Sequence, residues 1–270
     1  MRKGLTWFAY VAFFVITVFP LLWVLMSSFK DGASILRSPW EMPAGMAWEN
    51  YGNAWTTGKL GASLVRSLIT TVATLALLLP IGAMAAYVLA RFTFKGKAFL
   101  TGTFLGGMMF PNILAAVPVF LLASKLKMYD TLWGLVIIYV AYSLSFTIFV
   151  LSGFFSAIPK ELEEAAVIDG CGYASTFFRV VLPIAKPGLI VVGLFNGIGL
   201  WNEYNLAKVM MSAQNATLSV NLANLTNNQF YKADWGALFA GLVIVMLPVL
   251  VVYWLFKDRI QQAMLAGAIK

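Results

Sequence analysis

The chain has 270 residues, of which 61% are hydrophobic and 11% charged, a balance that excludes an ordinary soluble domain. Its net charge of +8 calls for no nucleic acid, because loops beside anionic lipid account for it. With no histidine and the single Cys171, it excludes His-dependent metal sites, Ser-His or Cys-His catalysis and an internal disulfide.

Apolar runs recur that are long enough to cross about 30 Å of hydrocarbon as helices. Six are read, at 7–27, 64–90, 99–124, 131–153, 184–210 and 235–256, which predicts an all-α polytopic membrane protein. A soluble protein with one very large core would need an amphipathic alternation that these runs lack. Neither an internal repeat nor a low-complexity linker interrupts the sequence, so residues 1–270 read as one domain.

Arg2 and Lys3 precede the first run as they would a signal peptide. The run continues past Leu25, beyond the roughly 7–15 apolar residues of a cleaved segment, so it reads as a retained helix. The loop from Phe29 to Ser63 carries Pro39, Trp40, Pro43, Trp48, Tyr51 and Trp55, with a short helix predicted over 48–55. Two readings stand for it: a surface for an external partner, or an interfacial aromatic belt. Gly52 to Leu60 resembles a phosphate loop only superficially, with five residues between its glycines and Leu60 where a magnesium-binding hydroxyl belongs. Nucleotide chemistry therefore has to come from elsewhere.

Lys and Arg orient the spans. With the N-terminus inside, 11 of the 19 basic residues fall on the cytoplasmic side, most cleanly at Arg91, Lys95 and Lys97, where no acid dilutes them. Both termini are thereby placed in the cytoplasm. Pro80, Pro111, Pro118 and Pro248 are expected to bend helices. Gly102–Gly106 and Gly193–Gly197 are spaced for close backbone approach. Asn112, beside Pro111, is a candidate for the translocation path, since a bent helix bearing an amide is costly against lipid.

Between the fourth and fifth runs lies a charged insert, 154–183. Pro159 is expected in the first turn of a helix, followed by Glu161, Glu163 and Glu164, which favour a helix N-terminus. Leu162, Ala165, Ala166 and Asp169 share one side by their spacing, and Gly170 with Gly172 ends the helix in a turn. A second short helix is predicted over 173–181, ahead of Leu182-Pro183. The two alanines offer a low-relief face able to enter a groove on another protein; a surface hairpin that merely links spans is the plainer reading. The polar cluster Trp201-Asn202-Glu203-Tyr204-Asn205 follows. A carboxylate deep in a bilayer costs about 2.5–3.5 kcal/mol, so Glu203 either lines a protein cavity, where the neighbouring aromatics suit sugar rings, or sits at the outer boundary.

Glu164-Ala165-Ala166, three residues, Gly170, nine residues and Val180-Val181-Leu182-Pro183 resemble the cytoplasmic coupling loop of bacterial ABC importer permeases, with Val180 where Ile is commoner. Asn50-Tyr51-Gly52-Asn53-Ala54-Trp55, the Trp201-Asn202-Glu203 cluster and the tail from Phe256 to Lys270 are similar to sugar permeases of the maltose type, although Ile269 and Leu265-Ala266 depart from the usual ending. The resemblance implies the type I ABC importer permease fold, in a bacterial or archaeal plasma membrane. It implies a non-enzymatic subunit of an ATP-driven sugar importer, acting with a second permease subunit, two cytoplasmic ATPase subunits that hold ATP and magnesium, and an extracytoplasmic solute-binding protein. Glu164, Ala165, Ala166, Asp169, Gly170, Leu182 and Pro183 are then the coupling residues, and Asn112, Trp201, Asn202, Glu203 and Tyr204 the candidate path for a carbohydrate. A glycerol phosphate permease of the same architecture is an alternative, although no Arg lies clearly inside a span as a phosphate clamp. An ion-coupled secondary transporter is another, and it should show paired intramembrane carboxylates where only Glu203 is available.

Overall fold

The computed structural model describes residues 2–228 and 234–268, and among them every regular element is helical. They form two compact units. The first comprises residues 1–65 and 217–251, the second 66–216 and 252–270.

In the first unit α1 (Arg2–Ser27) is long and apolar enough to cross a membrane, and none of its apolar window is buried. Its end is tethered: Trp23 donates its indole N–H to the Pro39 carbonyl at 3.0 Å and meets Phe239 edge-on at 5.1 Å. The external loop folds back on itself. Asp31 caps α2 (Gly32–Arg37) by accepting from the N–H groups of Ala33 and Ser34, and the Ser34 bonds above all hold its carboxyl below the ordinary value. The aromatic spacing produces α3 (Glu49–Thr56), shifted by one residue from the predicted 48–55. Buried Asn50 donates to the carbonyls of Ser28 and Lys30, while buried Lys30 donates to those of Ser38 and Glu41. Further along, α13 (Leu218–Asn228) is joined to the start of α4 (Leu60–Arg91) by Asn221 donating to Ser63. The last long helix, α14 (Trp235–Ala268), begins here and continues into the second unit; Lys232, Ile269 and Lys270 lie outside the described residues.

The second unit holds the rest of α4, α5 (Lys97–Met109), a 3-10 turn (Asn112–Ala115), α6 (Ala116–Lys125), α7 (Leu132–Ala157), α8 (Glu161–Ile168) and α9 (Tyr173–Thr176). A π-helical turn (Phe177–Val181), α10 (Leu182–Ile184), α11 (Lys186–Trp201) and α12 (Asn205–Met210) follow. Its core joins Ala83, Ala86 and Tyr87 of α4, Ile148, Leu151 and Phe155 of α7, and Phe177, Val181 and Val192. At the α7–α11 crossing Gly188 faces the Phe154 ring, where a Cβ would come within 2.6 Å of a ring carbon. Only glycine permits that approach.

Four helices meet span length and hydropathy unbroken, and two bent pairs raise the number of candidate spans to six. The run at 99–124 is broken rather than continuous: α5 and the segment from Ile113 to Lys125 differ in direction by 94°, with Pro111 extended at φ −65° and ψ 118° between them. The run at 184–210 is also not one helix. Its helical core, α11, has 16 residues, about 24 Å of rise, and ends at Trp201 before the Asn202–Tyr204 turn. Pro118 bends nothing, because it sits in the first turn of α6, where its missing N–H is not needed. Pro80 and Pro248 do lie inside helices. A methyl at Gly193 or Gly197 would meet Leu79 or Leu75 at 3.5 and 3.4 Å, whereas Gly102 and Gly106 have no neighbour within 4 Å among the described residues.

Candidate coupling site and translocation groove

The charged insert starts where α7 ends. Pro159 lies ahead of α8 rather than in its first turn, since Lys160 caps the helix and Glu161 opens it. Of the two alanines only Ala165 faces outward; Ala166 is buried against its own chain. The outward face carries Glu164, Val167 and Ile168 in addition, the last 86% exposed. With Val167 beside it, the isoleucine gives α8 an exposed apolar ridge outside every membrane-length run. Asp169 is exposed after the helix, and Gly170 takes the left-handed backbone conformation at φ +82°, its N–H donating to the Val167 carbonyl at 3.0 Å. Within this chain a Cβ there meets open space, and the backbone conformation alone demands glycine.

The second short helix forms as α9 and runs into the π-helical turn. Phe177 in that turn packs on Tyr87 at 4.9 Å, and Leu182 packs beside the same core, so the insert is anchored at its far end while Pro183 stays exposed. At its near end Glu163 ties it to α4. Arg91 Nε stands 2.6 Å from Glu163 Oε1 as an ion pair whose N–H points off the line of a hydrogen bond, and the Tyr87 hydroxyl donates to Glu163 Oε2 at 2.8 Å. Glu163 and Arg91 were noted in the sequence only for the helix N-terminus and for orientation, and Tyr87 not at all, so their meeting was missed. Their separation along the chain leaves no local signal beyond the unusual density of glutamates. Tyr87, Arg91 and Glu163 form one wall of a groove of about 380 Å³ that Glu164, Ile168 and Tyr173 help to line.

The second candidate site surrounds Glu203. Its Oε1 accepts from the Leu206 N–H at 2.7 Å, and its Oε2 accepts from the Ala207 N–H at 3.0 Å and from the Tyr139 hydroxyl at 2.7 Å. Glu203 therefore satisfies the first donors of α12 and pins that helix to buried Tyr139 on α7. Trp201 is buried, Tyr204 is half-buried, and Asn202 is exposed with its amide on the Ile198 carbonyl. A groove of about 310 Å³ opens here between α7 and α11, lined by Tyr142, Ser143, Phe146, Phe195, Asn196 and Glu203 among others. Asn196 is held by Thr147, to which its amide donates at 3.0 Å. The structure thus brings Glu203 to the groove and leaves Trp201, Asn202 and Tyr204 outside its lining; the side chain of Asn112 lies outside the described residues. Tyr142, Phe146 and Phe195, which do line it, were hidden in uniformly apolar runs.

The short helix behind Glu203 has a further anchor. Asp130 accepts from the Ser212 N–H at 2.8 Å and the Asn215 amide at 3.1 Å, while its own N–H donates to the Met210 carbonyl at 2.9 Å. Partial burial opposes ionisation of Asp130, but the Ser212 and Asn215 bonds outweigh it and, with Arg66, hold the carboxyl below its ordinary value.

Residues 78–264, which include both sites, match the family model described as binding-protein-dependent transport system inner membrane component. The chain belongs to that family. It is 42% identical to the diacetylchitobiose uptake system permease protein NgcG of Streptomyces coelicolor, over 95% of this chain and 85% of that protein. It is 32% identical to the trehalose transport system permease protein SugB of Mycobacterium tuberculosis, over 93% and 92%. A chain of a crystallised bacterial ABC transporter that imports the acidic polysaccharide alginate superposes with a TM-score of 0.81 at 22% identity, covering 95% of this chain and 96% of that one, so the fold is shared. This inner membrane component thus carries its EAA insert and its Glu203 groove inside the matched segment, while α1 and the external loop precede it.

Proposed function

We propose that this permease is one of two membrane subunits of an ATP-driven importer for an oligosaccharide, with α8 the element through which cytoplasmic ATPase subunits act. The observation that carries the reading is the outward face of α8, where Ala165, Val167 and Ile168 stand free of their own chain just before the Gly170 turn. An apolar helical ridge of that size fits a groove on a partner protein. The oligosaccharide reading draws on the diacetylchitobiose and trehalose relatives and on the aromatic and amide lining of the Glu203 groove. Rings such as those of Tyr142, Phe146 and Phe195 suit sugar faces, and Asn196 and Ser143 suit hydroxyls.

The basic turn Arg91–Lys97 lies on the same side as α8, so both belong to the cytoplasm, as do the termini. An extracytoplasmic solute-binding protein delivers the sugar and a second permease completes the path. ATP-driven movement of α8 then shifts the spans between states that differ in affinity for these partners. Glu203, the inner carboxylate on which an ion-coupled carrier would have to rely, already has both oxygens engaged.

The experiment is purification of the tagged permease from membranes that accumulate labelled oligosaccharide. Stable recovery of an ATPase subunit, with uptake abolished by ATP depletion, is expected. Uptake that follows an ion gradient with no ATPase bound refutes the reading.

A further inference from the structure

Where movement of α8 enters the membrane depends on what α8 is fastened to, and the fastening is asymmetric. At its first turn Glu163 has one oxygen against Arg91 and the other against the Tyr87 hydroxyl, both residues belonging to the last turns of α4. The Arg91 and Glu163 side chains are only 7% and 18% exposed. Arg91 also donates through Nη2 to the carbonyl of Ile158, the residue that closes α7. One guanidinium therefore joins the end of α4, the end of α7 and the start of α8. The Tyr87 ring in turn packs against Phe155 of α7 at 5.8 Å and Phe177 at 4.9 Å. At its other end the insert reaches α11 through a 72° bend between Tyr173–Ile184 and Lys186–Trp201.

Resting on the coupling role proposed for α8, we infer that Tyr87, Arg91 and Glu163 are positioning residues that lock α8 to the inner ends of α4 and α7. A push on the exposed Val167–Ile168 face then moves those two helices directly, and the bend before α11 absorbs the difference in direction. For a charged pair held away from water, removing either member leaves the other buried and uncompensated, which is costly. A simple surface tether would instead sit in water, where it contributes little.

The assay is the reconstituted full transporter in proteoliposomes, read as solute taken up per ATP hydrolysed. Glu163→Gln and Arg91→Gln are expected to lower that ratio about tenfold, a size typical of coupling between sites. The double exchange Arg91→Glu with Glu163→Arg is expected to recover only part of it, since a carboxylate at 91 cannot donate to the Ile158 carbonyl and a guanidinium at 163 cannot accept from Tyr87. Glu161→Gln, in the same helical turn but exposed, should leave the ratio unchanged. An unaltered ratio in Glu163→Gln overturns the inference. If the single variants fail to assemble, the Cys171→Ser protein labelled at Glu161→Cys and Lys95→Cys decides, both positions being exposed and outside the Val167–Ile168 face. One narrow inter-label distance through the ATP cycle supports the lock, and a distance that broadens or shifts between nucleotide states overturns it. Failure of the wild-type permease to bind any ATPase would instead remove the coupling role itself, so the two ideas fail separately.

Discussion

Glu203 can be a brace or a ligand, and truncation separates the two. Glu203→Ala removes three hydrogen bonds to a charged acceptor: two from the opening N–H groups of α12, at 2.7 and 3.0 Å, and one from the Tyr139 hydroxyl at 2.7 Å. Losing the helix-end interaction costs about 1 kcal/mol. Leaving the buried Tyr139 hydroxyl without its acceptor costs about 1–3 kcal/mol. Because the three bonds act as a unit and Glu203 is itself half-buried, their loss is expected to total about 2–4 kcal/mol rather than the full sum of three charged bonds. At about 2–4 °C per kcal/mol for a chain of this size, the purified transporter should melt roughly 5–15 °C lower. Glu203→Gln keeps an acceptor for the Leu206 N–H and can exchange donor and acceptor roles with Tyr139, so its melting point should fall by less than half as much. If Glu203 is a brace alone, the uptake KM of the Gln variant stays at the wild-type value; if it also touches sugar, KM rises. Melting curves by intrinsic fluorescence, with uptake on the same preparations, give both readings. An Ala variant as stable as wild type refutes the bracing argument outright.

The two alanines of the insert should respond oppositely. Ala166→Leu overpacks a buried position and should destabilise the permease by about 1–3 kcal/mol, whereas Ala165→Trp should leave the melting temperature alone and abolish ATPase co-purification. Gly170→Ala should cost about 1–2 kcal/mol, because φ +82° strains any L side chain. Gly170→Trp should insert in the membrane normally and lose uptake, and normal uptake in that variant would count against the coupling role. Acid should loosen the chain around α12. Since the folded Asp130 carboxyl titrates below its unfolded value near 4, its contribution is complete above about pH 4 and is lost as pH falls through the lower folded value. Asp130→Asn should flatten the pH dependence of thermal stability below about pH 4, which melting curves at stepped pH would register.

The long apolar runs were legible because hydrophobicity integrated over many residues needs no knowledge of partners, and α1, α4, α7 and α14 emerge close to where composition put them. The breaks were less legible. Pro111 announced one, but the end of α11 at Trp201 comes from Glu203 turning its carboxylate onto the N–H groups ahead of it. That turn depends on Tyr139, which lies 64 residues away in sequence. The small helices α2 and α13 were missed for different reasons. α2 has a readable cap at Asp31 but only six residues of body, while α13 follows Thr217, a cap residue type that was overlooked, and is tied to Ser63 by Asn221. Periodicity placed Ala165 and Ala166 on a common side, which at 100° per residue is true only in part.

The insert shows most clearly where sequence reading stops. Its motif marks a candidate docking surface, in which Ala165, Gly170 and Pro183 are exposed while Leu182 packs beside the core. The opposite surface is fixed by Arg91 and Tyr87, and three adjacent glutamates give no reason to prefer Glu163 over Glu161 or Glu164 as their target. The helix settles it: with Ala166 turned inward, Glu163, three residues earlier, shares that inner side, while Glu164 shares the outer side with Ile168, four residues on. The burial of one alanine thus selects which glutamate can meet α4. A Cβ-sized change at 166 should consequently act on the Arg91–Glu163 pair as well as on packing, lowering transport per ATP more than a change of equal size at any outward position of α8 that leaves the ATPase bound.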